Sequence, residues 1–107
     1  NEAKMRLLGV REDTLKAYGA VSEETAREMA EGGVNTSGTD LCVATTGIAG
    51  PDGGTDEKPV GLVYMACCLR GKTCVRRYQF KGNREKVREQ AMMKALDLAR
   101  LCILANN

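Results

Sequence analysis

With 107 residues, 43% of them hydrophobic and 28% charged, the chain has the composition of one globular domain, long enough for a single core but near the small end. A net charge of +2 is too weak to draw nucleic acid, and a content of no Trp, one Phe and three Tyr argues against a stacking platform for bases. No apolar run approaches the ~18 residues of a membrane span and no signal-peptide pattern is visible, so the sequence reads as a cytoplasmic domain with neither a nucleic-acid nor a membrane partner.

The five cysteines, Cys42, Cys67, Cys68, Cys74 and Cys102, support the same compartment. Most lie inside apolar patterns and none forms a C-x-x-C pair, so they are expected as thiols in a reducing cytosol. Without histidine or ligand spacing, no metal site is expected. The chain opens with Asn1 directly into a helical pattern, and it carries few recognisable strands for a buried sheet. The expectation is a domain whose N-terminal part is missing from this chain.

In chain order, Asn1 is the predicted N-cap of a helix over Glu2–Leu8, which Gly9 closes. Arg11–Tyr18 is predicted as a second short helix ending at Gly19. Ser22 caps a longer one, with Glu23 and Glu24 in the first turn where acidic side chains favour the positive end of the dipole. Its apolar stripe is Ala26, Met29, Ala30 and Gly33, and Asn35–Asp40 is turn chemistry. Leu41-Cys42-Val43-Ala44 is an unbroken apolar run, the pattern of a strand buried on both faces. Leu62–Leu69 is a second strand, Arg70-Gly71-Lys72 a turn, and Thr73–Phe80 the hairpin partner. There Cys74, Tyr78 and Phe80 share one face, Thr73, Arg77 and Gln79 the other, and Arg76 interrupts the apolar side as an edge-strand charge. Asn83 caps the last helix, where Val87, Ala91, Ala95, Leu98, Cys102 and Ala105 make one face. Leu96, Ile103 and Leu104 widen it, predicting cover on more than one side. Strands, hairpin and flanking helices together predict an α/β layered domain.

Between the two apolar strands runs Thr45–Gly61, which holds five of the twelve glycines and both prolines. Connections inside compact domains are usually about 4–6 residues, so this length points to function. Glycines let backbone N–H groups converge and a ligand approach closely. Such a segment, leaving the carboxyl end of a strand, is where open α/β sheets bind ligands. It fits neither G-x-x-x-x-G-K-[ST] nor G-x-G-x-x-G, which excludes the triphosphate and dinucleotide motifs; a plain connector is the competing reading. Thr46, at the strand end, divides evenly between packing and ligand contact with its hydroxyl. Lys4 reads as a solvated helix charge, yet in a chain without histidine a desolvated lysine is the recognised base for amide hydrolysis. Arg84 opposes the dipole of the last helix, and a bidentate role toward phosphate or carboxylate would account for it. Arg88, one turn on, is the alternative cation, and a solvated basic face accounts for both equally well. The two serines, Ser22 and Ser37, are a cap and a turn residue, and neither sits in a nucleophile elbow.

Thr46 to Tyr64, reading Thr-Gly-Ile-Ala-Gly-Pro-Asp-Gly-Gly-Thr-Asp-Glu-Lys-Pro-Val-Gly-Leu-Val-Tyr, resembles the signature of the CinA C-terminal domain family, which includes bacterial nicotinamide-nucleotide amidohydrolases. Asn1-Glu2-Ala3-Lys4, Leu7-Leu8-Gly9-Val10, Gly19-Ala20-Val21-Ser22-Glu23 and Gly82-Asn83-Arg84 resemble the family in the same order, so the likeness spans residues 1–107 as one domain. It implies a three-layer α/β/α sandwich with a mixed sheet. The activity it implies is deamidation of nicotinamide mononucleotide to nicotinic acid mononucleotide and ammonia. The family's serine motif would lie upstream of Asn1, with Lys4 as its partner base. Thr46, Gly47, Ile48, Ala49, Gly50, Gly53 and Gly54 would hold the mononucleotide and Arg84 would address a negative group, although Asn83 replaces the family's usual Asp beside it. No metal or organic cofactor is required, and a homo-oligomer is expected. A CinA-type module that binds the nucleotide without turnover is the alternative.

Overall fold

The structure, a computed structural model, describes residues 9–47 and 60–105. The expected helix over Glu2–Leu8, Lys4 within it, and the loop residues Ile48, Ala49, Gly50, Gly53 and Gly54 lie outside that range.

Helix α1 spans Glu12–Tyr18 and ends at Gly19, as the sequence predicts. Helix α2 spans Glu23–Ser37. Ser22 caps it in extended conformation, its Oγ accepting from the Thr25 N–H at 3.1 Å. The helix runs through Asn35–Ser37, which the sequence assigns to the following turn. The Ser37 hydroxyl donates to the Gly33 carbonyl at 2.6 Å, and Gly38 then ends the helix in the left-handed conformation, φ 71°. Local side-chain bonding carried the helix one turn further than residue type alone implies.

Strand β1 spans Leu41–Gly47, β2 Leu62–Leu69 and β3 Lys72–Gln79, in the order β1-β2-β3 with both pairs antiparallel. The parallel pairing of a mixed sheet is absent among the described residues, because each strand pairs with its chain neighbour and needs no crossover helix. The β2–β3 connection is the two-residue turn Arg70-Gly71, both at positive φ (51° and 82°), the primed geometry that matches strand twist. β2 is the central strand and is almost wholly buried. β1 is an edge of the described sheet, with Leu41, Cys42 and Val43 only half-buried, so its apolar run marks an edge rather than a strand covered on both faces.

Helix α3, Arg84–Ala105, begins where the Asn83 Oδ1 accepts from the Lys86 N–H at 2.9 Å. It covers one face of the sheet. Val87, Leu98 and Cys102 pack with Val63, Met65, Cys67, Leu69 and Phe80. On the opposite face Ala26 and Ala30 of α2 meet Ala44, Ala66 and Cys68. That face is built of small side chains, and α2 lies close: a Cβ on Gly33 would collide with the Cys42 Sγ. The layers are therefore α/β/α. Cover for α3 on a second side is not observed among the described residues: Met92, Met93 and Leu96 are 66%, 71% and 69% exposed, and Leu101, Ile103 and Leu104 are exposed too. Ala105, expected on the buried face, is also exposed.

Candidate functional site

The carboxyl end of β1 is where the long loop leaves the sheet, and strand alternation there sends successive side chains to opposite faces. Thr46 is buried toward α2, and its hydroxyl donates to the Ala20 carbonyl at 2.7 Å. The same short linker is held by Thr25, whose hydroxyl donates to the Gly19 carbonyl at 2.7 Å, and by Ser22, whose hydroxyl donates there at 3.0 Å. Thr45 takes the other direction and is exposed on the α3 side. Gly47 completes the strand. A Cβ there would lie 2.9 Å from both the Leu62 carbonyl oxygen and the Val63 Cγ2, so only glycine permits this approach. Where the loop returns, Phe80 N–H donates to the Gly61 carbonyl at 2.9 Å and the Gln79 amide to the Val60 carbonyl at 2.7 Å. Both ends of the loop are thus anchored to the sheet.

Against this strand end lies a cavity of about 140 Å³, lined by Thr45, Thr46, Gly47, Val63, Val87, Arg88 and Ala91. A neighbouring one of about 340 Å³ shares Thr45, Arg88 and Ala91 and adds Met92 and Ala95. Among the sequence-predicted site residues, Thr46 and Gly47 meet here. Arg84, the first residue of α3, is exposed and does not line either cavity; Arg88, one turn further, lines both. Position along the axis is the reason: residues four apart share a helix face, and Arg88 stands one turn nearer Ala91, which lines both cavities. Thr45 is the residue that sequence reasoning passed over, although alternation from the buried Ala44 would have put it and Thr46 on opposite faces. The cavity is apolar on its helix side and carries a single cation, Arg88, among its lining residues. Such a cleft can seat a flat apolar ring and pair a negative group.

A third cavity, about 500 Å³, lies on the outer side of α2 and includes Arg11, Arg27, Glu28 and Glu31 in its lining. Its carboxylates are structural. Glu28 accepts from the Arg11 N–H at 2.8 Å and the Thr14 hydroxyl at 2.6 Å, and Glu31 accepts from the Thr73 hydroxyl at 2.7 Å. Burial pushes the Glu28 carboxyl up, but the Arg11 and Thr14 hydrogen bonds together outweigh it and hold the group below its ordinary value. Neither serine approaches the strand-end cavity: Ser22 is the α2 cap and Ser37 bonds back to its own helix. Among the described residues, no group of three or more His, Cys, Asp or Glu side chains could hold a metal ion, and no helix is long and apolar enough to cross a membrane.

Comparison with known proteins places this geometry in a family. The chain is 57% identical over 100 residues to a Clostridium perfringens protein provisionally named competence-damage inducible, covering 94% of the chain and 24% of that protein. It is 55% identical over 104 residues to a CinA-like protein of Kosmotoga olearia, 97% of the chain and 25% of the relative. The chain thus spans about a quarter of the length of these relatives. Among solved structures, the competence/damage-inducible protein CihA from Agrobacterium tumefaciens superposes with a TM-score of 0.89 at 40% identity, over 100% of this chain and 64% of that one. A competence or damage-inducible protein from Enterobacter asburiae does so with 0.85 at 42%, over 91% and 61%. The model of the CinA C-terminal domain matches residues 1–103, and with relatives this similar along the same stretch the chain belongs to the CinA C-terminal domain family.

Proposed function

We propose that this chain supplies the substrate-holding half of an amidohydrolase site that deamidates nicotinamide mononucleotide to nicotinic acid mononucleotide and ammonia. The observation that carries the reading is the strand-end cavity, where Thr45, Gly47 and Arg88 meet at the root of the glycine-rich loop in a chain of this family. Its apolar wall of Val63, Val87 and Ala91 suits a pyridine ring, and Arg88 suits the phosphate. In the scheme a serine outside this chain attacks the carboxamide carbon and Lys4 takes the serine proton. Lys4 passes that proton to the amide nitrogen, which leaves as ammonia, and water hydrolyses the resulting ester to free the acid and restore the serine. Backbone amides of the glycine-rich loop would hold the mononucleotide, while Thr46, bonded to the Ala20 carbonyl, fixes the strand end from which that loop departs. Arg84, a turn before Arg88, is exposed and lines neither cavity, so Arg88 is the cation assigned to the phosphate.

Ammonia release from nicotinamide mononucleotide by the full-length protein tests the reading. Lys4→Ala is expected to lower kcat by about 100-fold or more. Arg88→Ala is expected to raise KM by about tenfold with a smaller change in kcat, and Arg84→Ala to do less. Unchanged turnover in Lys4→Ala removes the base from the scheme. Calorimetric binding of the mononucleotide without turnover in the intact protein would establish the non-catalytic module instead.

A further inference from the structure

Three of the cysteines meet at one place, far from the strand-end cavity along α3. Cys67 and Cys74 are directly opposite in the β2–β3 register. Cys102 of α3 joins them: it shares a buried cluster with Cys67, and Cys74 packs against that cluster. Two of the three reach an opening to solvent. A cavity of about 270 Å³ is lined by Cys74 and Cys102 together with Arg76, Leu98 and Leu101. Cys67 is fully buried and does not line it; burial first, and then its thiol neighbours, push its pKa up to about 12.

Arg76 is the odd residue of β3. It stands two positions from Cys74, on the face the sequence otherwise fills with apolar side chains. Its guanidinium donates to the adjacent Val75 carbonyl at 3.0 Å, and no carboxylate pairs with it among the described residues. An edge charge meant only for solvent would have no reason to share a cavity with two thiols. Burial raises the Cys102 thiol, and the Arg76 guanidinium pulls in the opposite direction. A partly open thiol beside a cation is the setting in which thiolate chemistry occurs, while a fully buried thiol is inert. The three sulfurs do not make a metal site, so sulfur–sulfur chemistry is what the arrangement offers.

We propose that Cys74 and Cys102 form a peroxide-responsive thiol pair, which closes under Arg76 to a disulfide joining the edge strand β3 to α3. The Cys74 thiolate attacks one oxygen of a hydroperoxide. The O–O bond breaks, and the second oxygen leaves as hydroxide, which takes the proton Cys74 released and becomes water. The Cys102 sulfur then attacks the sulfenic sulfur of Cys74, the S–O bond breaks, and a second water leaves with the Cys102 proton. Two thiols are oxidised by two electrons and hydrogen peroxide is reduced to two waters. The covalent link fixes the second half of α3 against the sheet. It leaves the strand-end cavity at the other end of the helix unaltered.

The test is peroxide treatment of the full-length protein at mildly alkaline pH, followed by a non-reducing tryptic map. Cleavage after Lys72, Arg76 and Arg100 isolates Cys74 in Thr73–Arg76 and Cys102 in a segment beginning at Leu101, with Cys67 in neither. The expected result is a linked pair of those two peptides, reversed by dithiothreitol, with the melting temperature raised by about 5–10 °C. In Cys102→Ser, Cys74 is expected to accumulate as a dimedone-reactive sulfenic acid, and Cys74→Ser is expected to form no link. Arg76→Gln is expected to slow link formation several-fold, since it removes the cation lining the cavity that Cys74 and Cys102 share. A Cys67–Cys74 link, a Cys42–Cys68 link alone, or no link at millimolar peroxide would each overturn the proposal.

Discussion

Thr46 illustrates how one hydroxyl can be claimed by packing. It is 8% exposed, and its proton goes to the Ala20 carbonyl, 26 positions away in sequence. Thr46→Val keeps the shape but leaves that carbonyl without its donor, so stability is expected to fall by about 1–3 kcal/mol in urea denaturation while Thr46→Ser stays near the parent. If Thr46→Val instead weakens mononucleotide binding with no loss of stability, the side chain is a ligand contact. Glu28 carries a pH signature. Its folded pKa lies below the ordinary 4.5, because the bonds from Arg11 and Thr14 outweigh the burial that would raise it. Its contribution to stability is therefore complete above about 4.5 and is lost as pH falls through the lowered folded value. Glu28→Gln is expected to flatten the acid limb of the stability curve below that pH and to lower stability at neutrality. A parent and variant with parallel acid limbs would contradict this.

At the scale of elements, what was legible in the sequence is what local chemistry decides. Ser22, Gly19 and Asn83 act on their own helix ends, and the Leu62–Leu69 strand is set by its own composition. Facing and burial depend on what packs from elsewhere, so the edge position of β1 and the bare side of α3 could not be read from residue type. The candidate site divides the same way. Gly47 and the loop length were visible as anomalies, whereas Thr45 joined them only through strand alternation and Arg88 only through where the strand end meets α3 along its length. Hairpin geometry also sets a test. Arg70 adopts φ 51° in a position where asparagine is preferred, and a non-glycine residue there costs about 1–2 kcal/mol. Arg70→Asn is expected to raise stability by up to about 1 kcal/mol, read as a higher urea midpoint at unchanged slope. A drop would mean that Arg70 makes an interaction that outweighs its backbone strain.

For the molecule as a whole, the two helices that pack on the sheet do not play equal parts. α2 is fitted closely to the sheet through alanine and glycine, while α3 presents Met92 and Leu96 outward. Replacing both with lysine is expected to change stability by less than about 0.5 kcal/mol, as for ordinary surface positions. A loss of about 2–5 kcal/mol per residue in the full-length protein would show that another part of it covers that side. The central strand carries a different consequence. β2 is paired with a strand on each edge and covered on both faces, so releasing its amides means detaching a whole strand and opening the core beneath it. Hydrogen exchange at Val63–Cys68 is therefore expected to proceed only through global unfolding, and these amides would report the stability of the whole domain. The outward amides of β3, unpaired within the described sheet, would exchange through local fraying and be blind to it.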